Sequence, residues 1–280
     1  MIGLIGGVLL GFVMAFILGR VKGRGYEVAM ALFGMPVFTY AISIGLGEGW
    51  PKNTYLWAGT CLSPLKWAGI EVFLSFFVAL LYFYLRARGS LSIDEYVQVS
   101  YLAPGTFAGA VVLSSTLLPA LIVPGILAYA LIVWPKEGSS IKFLKVERVD
   151  LLEGFEVYTD EKSMMVFRDG RKLFIGGATL KRFPRSRELV ECTSMLPALG
   201  VAKKLAILAI GFLPAVALLF VPRGTLTIAA YGVVVLVTAQ LLAKVMVKTT
   251  NKTLSKECRE VVGEYSDFLR KKGKSEDAAG

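Results

Sequence analysis

Six long apolar runs, separated by short basic loops, leave this chain few ways to fold. They cover roughly residues 2–19, 27–47, 67–85, 105–134, 205–221 and 225–247. A helix rises about 1.5 Å per residue, so about 20 apolar residues cross a hydrocarbon core of roughly 30 Å. Inside that core the backbone must satisfy its own hydrogen bonds, which a helix does within one segment. With 55% apolar residues and a mean hydropathy of +0.62, the composition lies far outside the soluble globular range. The expected fold class is an α-helical polytopic membrane protein with about six transmembrane segments, one readable as a re-entrant hairpin. A small inserted β-rich domain and a C-terminal amphipathic helix complete it. The corresponding divisions are residues 1–135, 136–200, 201–248 and 249–280.

Charge placement orients the spans. Arg20, Lys22 and Arg24 follow the first run, Arg86 and Arg88 the third, and Lys203 and Lys204 precede the fifth. Lys244, Lys248 and Lys252 close the sixth. By the positive-inside rule these flanks are cytoplasmic, and the net charge of +10 needs no nucleic-acid partner to explain it. The 48–66 loop is then external, with Trp50, Tyr55, Trp57 and Trp67 as an aromatic interface. No basic segment precedes the first run, so it reads as a permanent span rather than a cleaved leader. Residues 101–134 must start and end in the cytoplasm. As one helix they would run about 51 Å, too long for one crossing. A bend within Pro119–Pro124, followed by Gly125, favours a re-entrant or shallow hairpin; the rival is one tilted, kinked span, which would put the following domain outside or invert the preceding loops.

Residues 136–200 alternate apolar and charged positions. Candidate strands are 141–148, 155–159, 164–168, 171–175, 178–183 and 188–192, which suggests a small barrel or sandwich. Asp169-Gly170 and Asp160-Glu161-Lys162 read as hairpin turns. Basic and acidic residues nearly balance here, which argues against a nucleic-acid face. Beyond the last run, Leu254, Cys258, Val261, Tyr265 and Phe268 form one apolar helical stripe, suited to packing on this domain or on a bilayer surface.

The most specific pattern is a small residue at every fourth position of the first run: Gly3, Gly7, Gly11, Ala15 and Gly19. Missing side chains on one face let another helix approach closely, which is a main source of helix association in lipid. The face suits either self-association or a seam within the subunit, for which Ala41, Gly45 and Gly49 are the candidate partners. Glu71 is the one carboxylate inside an apolar run rather than at its edge, and so a candidate polar membrane site. Glu27 reads as interfacial. Ser114, Ser115 and Thr116, beside the expected bend, are a candidate polar lining.

Much chemistry is excluded. The chain has no histidine, which removes His-containing metal sites and Ser-His-Asp catalysis. It has neither GxxxxGK[ST] nor GxGxxG, and no aspartate inside a span. Ser194-Met195-Leu196-Pro197 resembles the serine motif of type I signal peptidases, but Lys172 and Lys181 precede the serine where that family requires a following lysine. Three cysteines at Cys61, Cys192 and Cys258 share no metal-ligand spacing and suggest no disulfide framework. Amides are confined to Asn53, Asn251, Gln98 and Gln240, a bias that resembles thermophile proteins. The expectation is therefore a multi-pass protein of the cell membrane with no cofactor and no enzymatic activity. It would be a subunit or scaffold that assembles with itself or with other membrane subunits, with a cytoplasmic partner at the β-domain and the C-terminal helix. A channel or translocation-pore subunit is the alternative.

Overall fold

A computed structural model describes residues 2–49, 62–134, 137–196 and 200–277. Trp50, Tyr55 and Trp57 of the expected aromatic interface, and Cys61, lie outside these residues. Among the described residues six helices are long and apolar enough to cross a membrane, which makes this a multi-pass membrane protein by length and composition. They are α1 (Ile2–Lys22), α2 (Arg24–Gly49), α3 (Pro64–Ala87), α4 (Ile93–Ser115), α8 (Val201–Val216, continued by a 3₁₀ turn to Phe220) and α9 (Thr225–Thr253). The others are α5 (Ile122–Val133), α6 (Gly177–Arg182), α7 (Ser186–Ser194) and α10 (Lys256–Asp277). The chain forms two compact units: residues 1–87, 98–135 and 201–243 in the first, and 88–97, 136–200 and 244–280 in the second.

The first unit holds the apolar helices. Its core is aromatic. Phe76 of α3 meets Phe107 of α4 edge-on at 4.2 Å, Phe107 stacks on Tyr129 of α5 at 5.5 Å, and Tyr129 meets Phe212 of α8 at 4.8 Å. These separations and angles suit the positive edge and negative face of the rings. Tyr231 of α9 is fully buried and donates to the Thr106 carbonyl of α4 at 3.1 Å. Helix α4 begins at Ile93, twelve residues before the apolar run at 105, because its first two turns carry polar residues. The bend lies where the prolines place it. The helix stops at Ser115, Leu118 is extended, and a 3₁₀ turn at Pro119–Leu121 starts the return. The two arms are unequal, since α5 has 12 residues and spans only about 18 Å.

The second unit is one four-stranded sheet with helices, which corrects the expected barrel or sandwich. Strands β1 (Glu147–Val149), β2 (Glu156–Thr159), β3 (Val166–Asp169) and β4 (Lys172–Ile175) take the order β1-β2-β4-β3. The β3–β4 hairpin turns at Gly170, whose φ of 63° favours glycine, as the Asp-Gly pair requires. The second expected hairpin is absent: β2 pairs in parallel with β4 and not with β3. Residues 178–183 and 188–192 fall in α6 and α7 rather than in strands. Leu189, Val190, Cys192 and Thr193 are buried there at helical rather than alternating spacing. Of residues 141–148, Ile141 and Lys142 end a 3₁₀ turn, Leu144 forms a bridge with Leu91, and only Glu147 and Arg148 join a strand, β1.

Aspartates stitch this unit together. Asp160 accepts from the amides of Ile93, Ser163 and Gly177, at 3.0, 2.9 and 3.3 Å. Asp94 accepts from Met164 and Met165, and Asp169 from Gly138 and Ser140. Helix α10 lays its stripe on the same unit: Leu254, Cys258 and Val261 are buried with Phe183, Leu189 and Cys192, and Tyr265 and Phe268 pack beside them. The Tyr265 hydroxyl donates to the Met164 carbonyl.

Two outcomes test this account. Phe174 is fully buried between Phe167 and Tyr158, so Phe174→Ala should destabilise the second unit by about 3–5 kcal/mol, read by thermal unfolding in detergent. Burial raises the Tyr265 phenol to about 12, so absorbance titration should show it ionising well above free tyrosine. Because the folded value is the higher one, its contribution to stability persists below about pH 10 and is lost as pH rises through 12.

Candidate functional site

The small-residue face of α1 is occupied within the subunit. Gly3, Gly7, Gly11 and Ala15 are buried, and α1 runs back along α2 after a turn at Gly23, whose φ is 105°. A Cβ at Gly3 would overlap the Ser43 hydroxyl and the Glu71 carboxylate, and one at Gly7 would overlap the backbone and hydroxyl of Thr39. At Gly11 it would lie 2.9 Å from Met35 Cα, and at Gly19 2.7 Å from Glu27 Cβ. The two steps of four from Gly3 to Gly11 are matched by steps of four back along α2, from Ser43 through Thr39 to Met35, and the step of eight to Gly19 by one of eight to Glu27. The partners expected at Ala41 and Gly45 are not the ones used: both are exposed, and Gly45 faces open space. Two residues from Ser43 is about 200° round a helix, so that face points away from the seam.

Two carboxylates lie against this seam. Glu71 of α3 is only 5% exposed and accepts a 2.6 Å hydrogen bond from the Ser43 hydroxyl of α2. Gly3 leaves the room in which that contact forms. One turn away on α2, the buried Thr39 hydroxyl has no hydrogen-bond partner among the described residues. One turn along α3, Ser75 donates to its own helix at Val72.

Glu27 is the larger surprise. Rather than sitting solvated at an interface, it is 4% exposed and accepts from three donors. These are the Tyr82 hydroxyl at 2.5 Å, Arg86 Nε at 2.9 Å and Arg24 Nη1 at 2.7 Å. The guanidiniums are partly exposed while the carboxylate is enclosed, so the charges of α2 and α3 neutralise each other beside Gly19. Sequence reasoning took Arg24 and Arg86 only as topological flanks. The available signal was spacing: Arg24 and Glu27 are three apart, and Tyr82 and Arg86 four apart, so each pair shares a helical face.

The hydroxyls of the Ser114-Ser115-Thr116 cluster turn back on their own helix. Ser114 and Ser115 both donate to the Val111 carbonyl at 2.7 Å, and Thr116 donates to Leu113 at 2.7 Å. Such back-bonding bends helices and satisfies carbonyls where a helix ends. Gly69 of α3 packs against this terminus, with a Cβ position 2.9 Å from the Ser114 carbonyl. Among the described residues no group of three His, Cys, Asp or Glu could hold a metal ion. The Ser194 hydroxyl donates to its own helix at Glu191. No family model, curated protein or solved structure matches this chain.

The seam makes distinct demands at neighbouring glycines. Gly7→Leu should unfold the α1–α2 contact, lowering the melting temperature and broadening the size-exclusion profile, whereas Gly45→Leu should leave both unchanged. Glu27→Ala strands two guanidiniums and should cost on the order of 3 kcal/mol, recovered in part by Glu27→Gln.

Proposed function

We propose that this chain is a non-enzymatic component of a cell-membrane assembly, with the first unit as its lipid-embedded anchor and the second as a docking body on the cytoplasmic side. The observation that carries the reading is the construction of the second unit. Three separate stretches of chain, 88–97, 136–200 and 244–280, converge in it. The aspartate carboxylates, the sheet and the α10 stripe serve to hold those stretches together. In the first unit, Glu27, Ser114, Ser115 and Thr116 are likewise taken up in a seam and a helix end.

The orientation follows from the same convergence. Stretches that share one compact unit lie on one side of a bilayer, so 98–135 and 201–243 each leave and return to that side. Arg20, Lys22, Arg24, Arg86, Arg88, Lys203, Lys204 and Lys244 then all fall on it, against Lys66 and Arg223 opposite. That asymmetry marks it as cytoplasmic. The short α5 supports reading the first of these excursions as a shallow or re-entrant hairpin. Self-association through the glycine face of α1 is not part of this reading, because α2 occupies that face.

A second reading, a pore or translocation subunit, draws on the buried Glu71–Ser43 pair and the adjacent Thr39 hydroxyl. The two separate experimentally. Photo-reactive residues at the exposed positions Arg187 and Arg259 should yield a discrete cross-linked adduct in native membranes, while the same group at lipid-facing Leu9 should not. Monomer alone from every position removes the docking reading. Reconstituted vesicles should be ion-tight, and a conductance altered by Glu71→Gln would favour the pore instead.

A further inference from the structure

Cys192 of α7 and Cys258 of α10 are joined by a disulfide, with Cα atoms 5.4 Å apart and 66 residues between them in sequence. The sequence suggested no such framework, since the two cysteines lie on opposite sides of the last pair of spans. The bond closes a covalent loop that contains α8 and α9 entirely. Both residues are nearly buried, at 6% and 5% exposure, within the cluster that seats α10. Beside them, Arg185 of α7 bonds Glu264 of α10 at 2.9 Å, and Phe183 meets Tyr265 and Phe268.

We propose that this disulfide is a permanent cross-link formed and kept on the cytoplasmic side of the membrane, in a cell whose cytoplasm sustains protein disulfides. The inference rests on the orientation argued above for its compartment. Three observations bear on permanence. The sulfurs are shielded from a free thiolate, and an attacking thiolate must reach a sulfur for exchange to occur. The aromatic wall and the Arg185–Glu264 pair hold α10 in place, so the two sulfurs stay adjacent even if reduced. The basic flanks put them in a compartment where most cells keep thiols reduced, the known exception being the cytoplasm of hyperthermophiles. The composition points the same way, with only four amide side chains in 280 residues.

The chemistry is an exchange. The Cys258 or Cys192 thiolate attacks the disulfide of a dithiol oxidant protein, forming a mixed disulfide and releasing one oxidant thiolate. The second cysteine then displaces the other. The chain loses two protons and two electrons, and the oxidant leaves as a dithiol.

Three measurements test the parts separately. Protein from its native membranes, acid-quenched and alkylated in denaturant, should show one reactive thiol, Cys61, and three after reduction. Three reactive thiols without reductant would overturn the cross-link. A Cys61→Ser, Lys162→Cys variant keeps the bond and places one exposed reporter in the second unit. An impermeant maleimide should label it in inside-out vesicles and not in sealed right-side-out ones. Labelling from the outer face would overturn the cytoplasmic assignment while the thiol count still reported on the bond. Cys258→Ser should leave membrane insertion intact and lower the melting temperature of the second unit; an unchanged melting temperature would overturn the structural role.

Discussion

The approach of α1 to α2 at backbone distance is the contact on which the first unit depends. In hydrocarbon, side chains gain nothing by leaving lipid for protein, so helices adhere through dispersion over closely matched surfaces and through polar contacts. Gly3, Gly7 and Gly11 remove the side chains that would hold the helices apart, and Thr39 and Met35 fill the space with backbone as well as side chain. The same device recurs elsewhere in the unit. Gly105 and Gly109 of α4 receive Thr238 and Tyr231 of α9, Gly125 receives Val111, and Gly211 receives Tyr129.

Close packing also decides where polar groups can survive. Glu27 and Glu71 lie against opposite ends of the α1 seam, and each has its oxygen at a glycine, Gly19 or Gly3. A buried carboxylate costs several kcal/mol unless donors surround it. At Glu27 the cost is met by two guanidiniums and a phenol, and that cluster fastens α2 to α3 while the glycine admits α1. In the second unit aspartates do comparable work on backbone amides. In both units, charge is spent on holding elements together, and this common use underlies the reading of the chain as a rigid assembly component.

The parts that were legible from residues have long or redundant signals. The spans, the proline bend, the Asp169-Gly170 hairpin and the α10 stripe each rest on a repeated period or a residue with few conformational options. What failed had short signals. The segment 188–192 is too brief to separate alternation from a single helical turn, and α7 resolved it by burying Leu189, Val190, Cys192 and Thr193 on one side. The Asp160-Glu161-Lys162 turn looked like a hairpin because adjacent strands usually pair. Here Asp160 instead bonds Ile93 and Gly177, and β2 pairs with β4. The candidate site was half legible. Glu71 stood out because charge is rare in an apolar run, whereas Glu27 was hidden among flanking charges.

By itself the sequence determined that this is a helical membrane protein, roughly where its long apolar helices run and which face of α1 must be approached closely. Those properties follow from local hydropathy and side-chain size, which need no partner to be read. Only tertiary structure decided what approaches that face, which donors enclose Glu27, that Ser114, Ser115 and Thr116 bond their own helix, and that Cys192 meets Cys258. Each depends on bringing residues tens of positions apart within a few ångströms. The period of one segment carries no information about which other segment will fill its grooves.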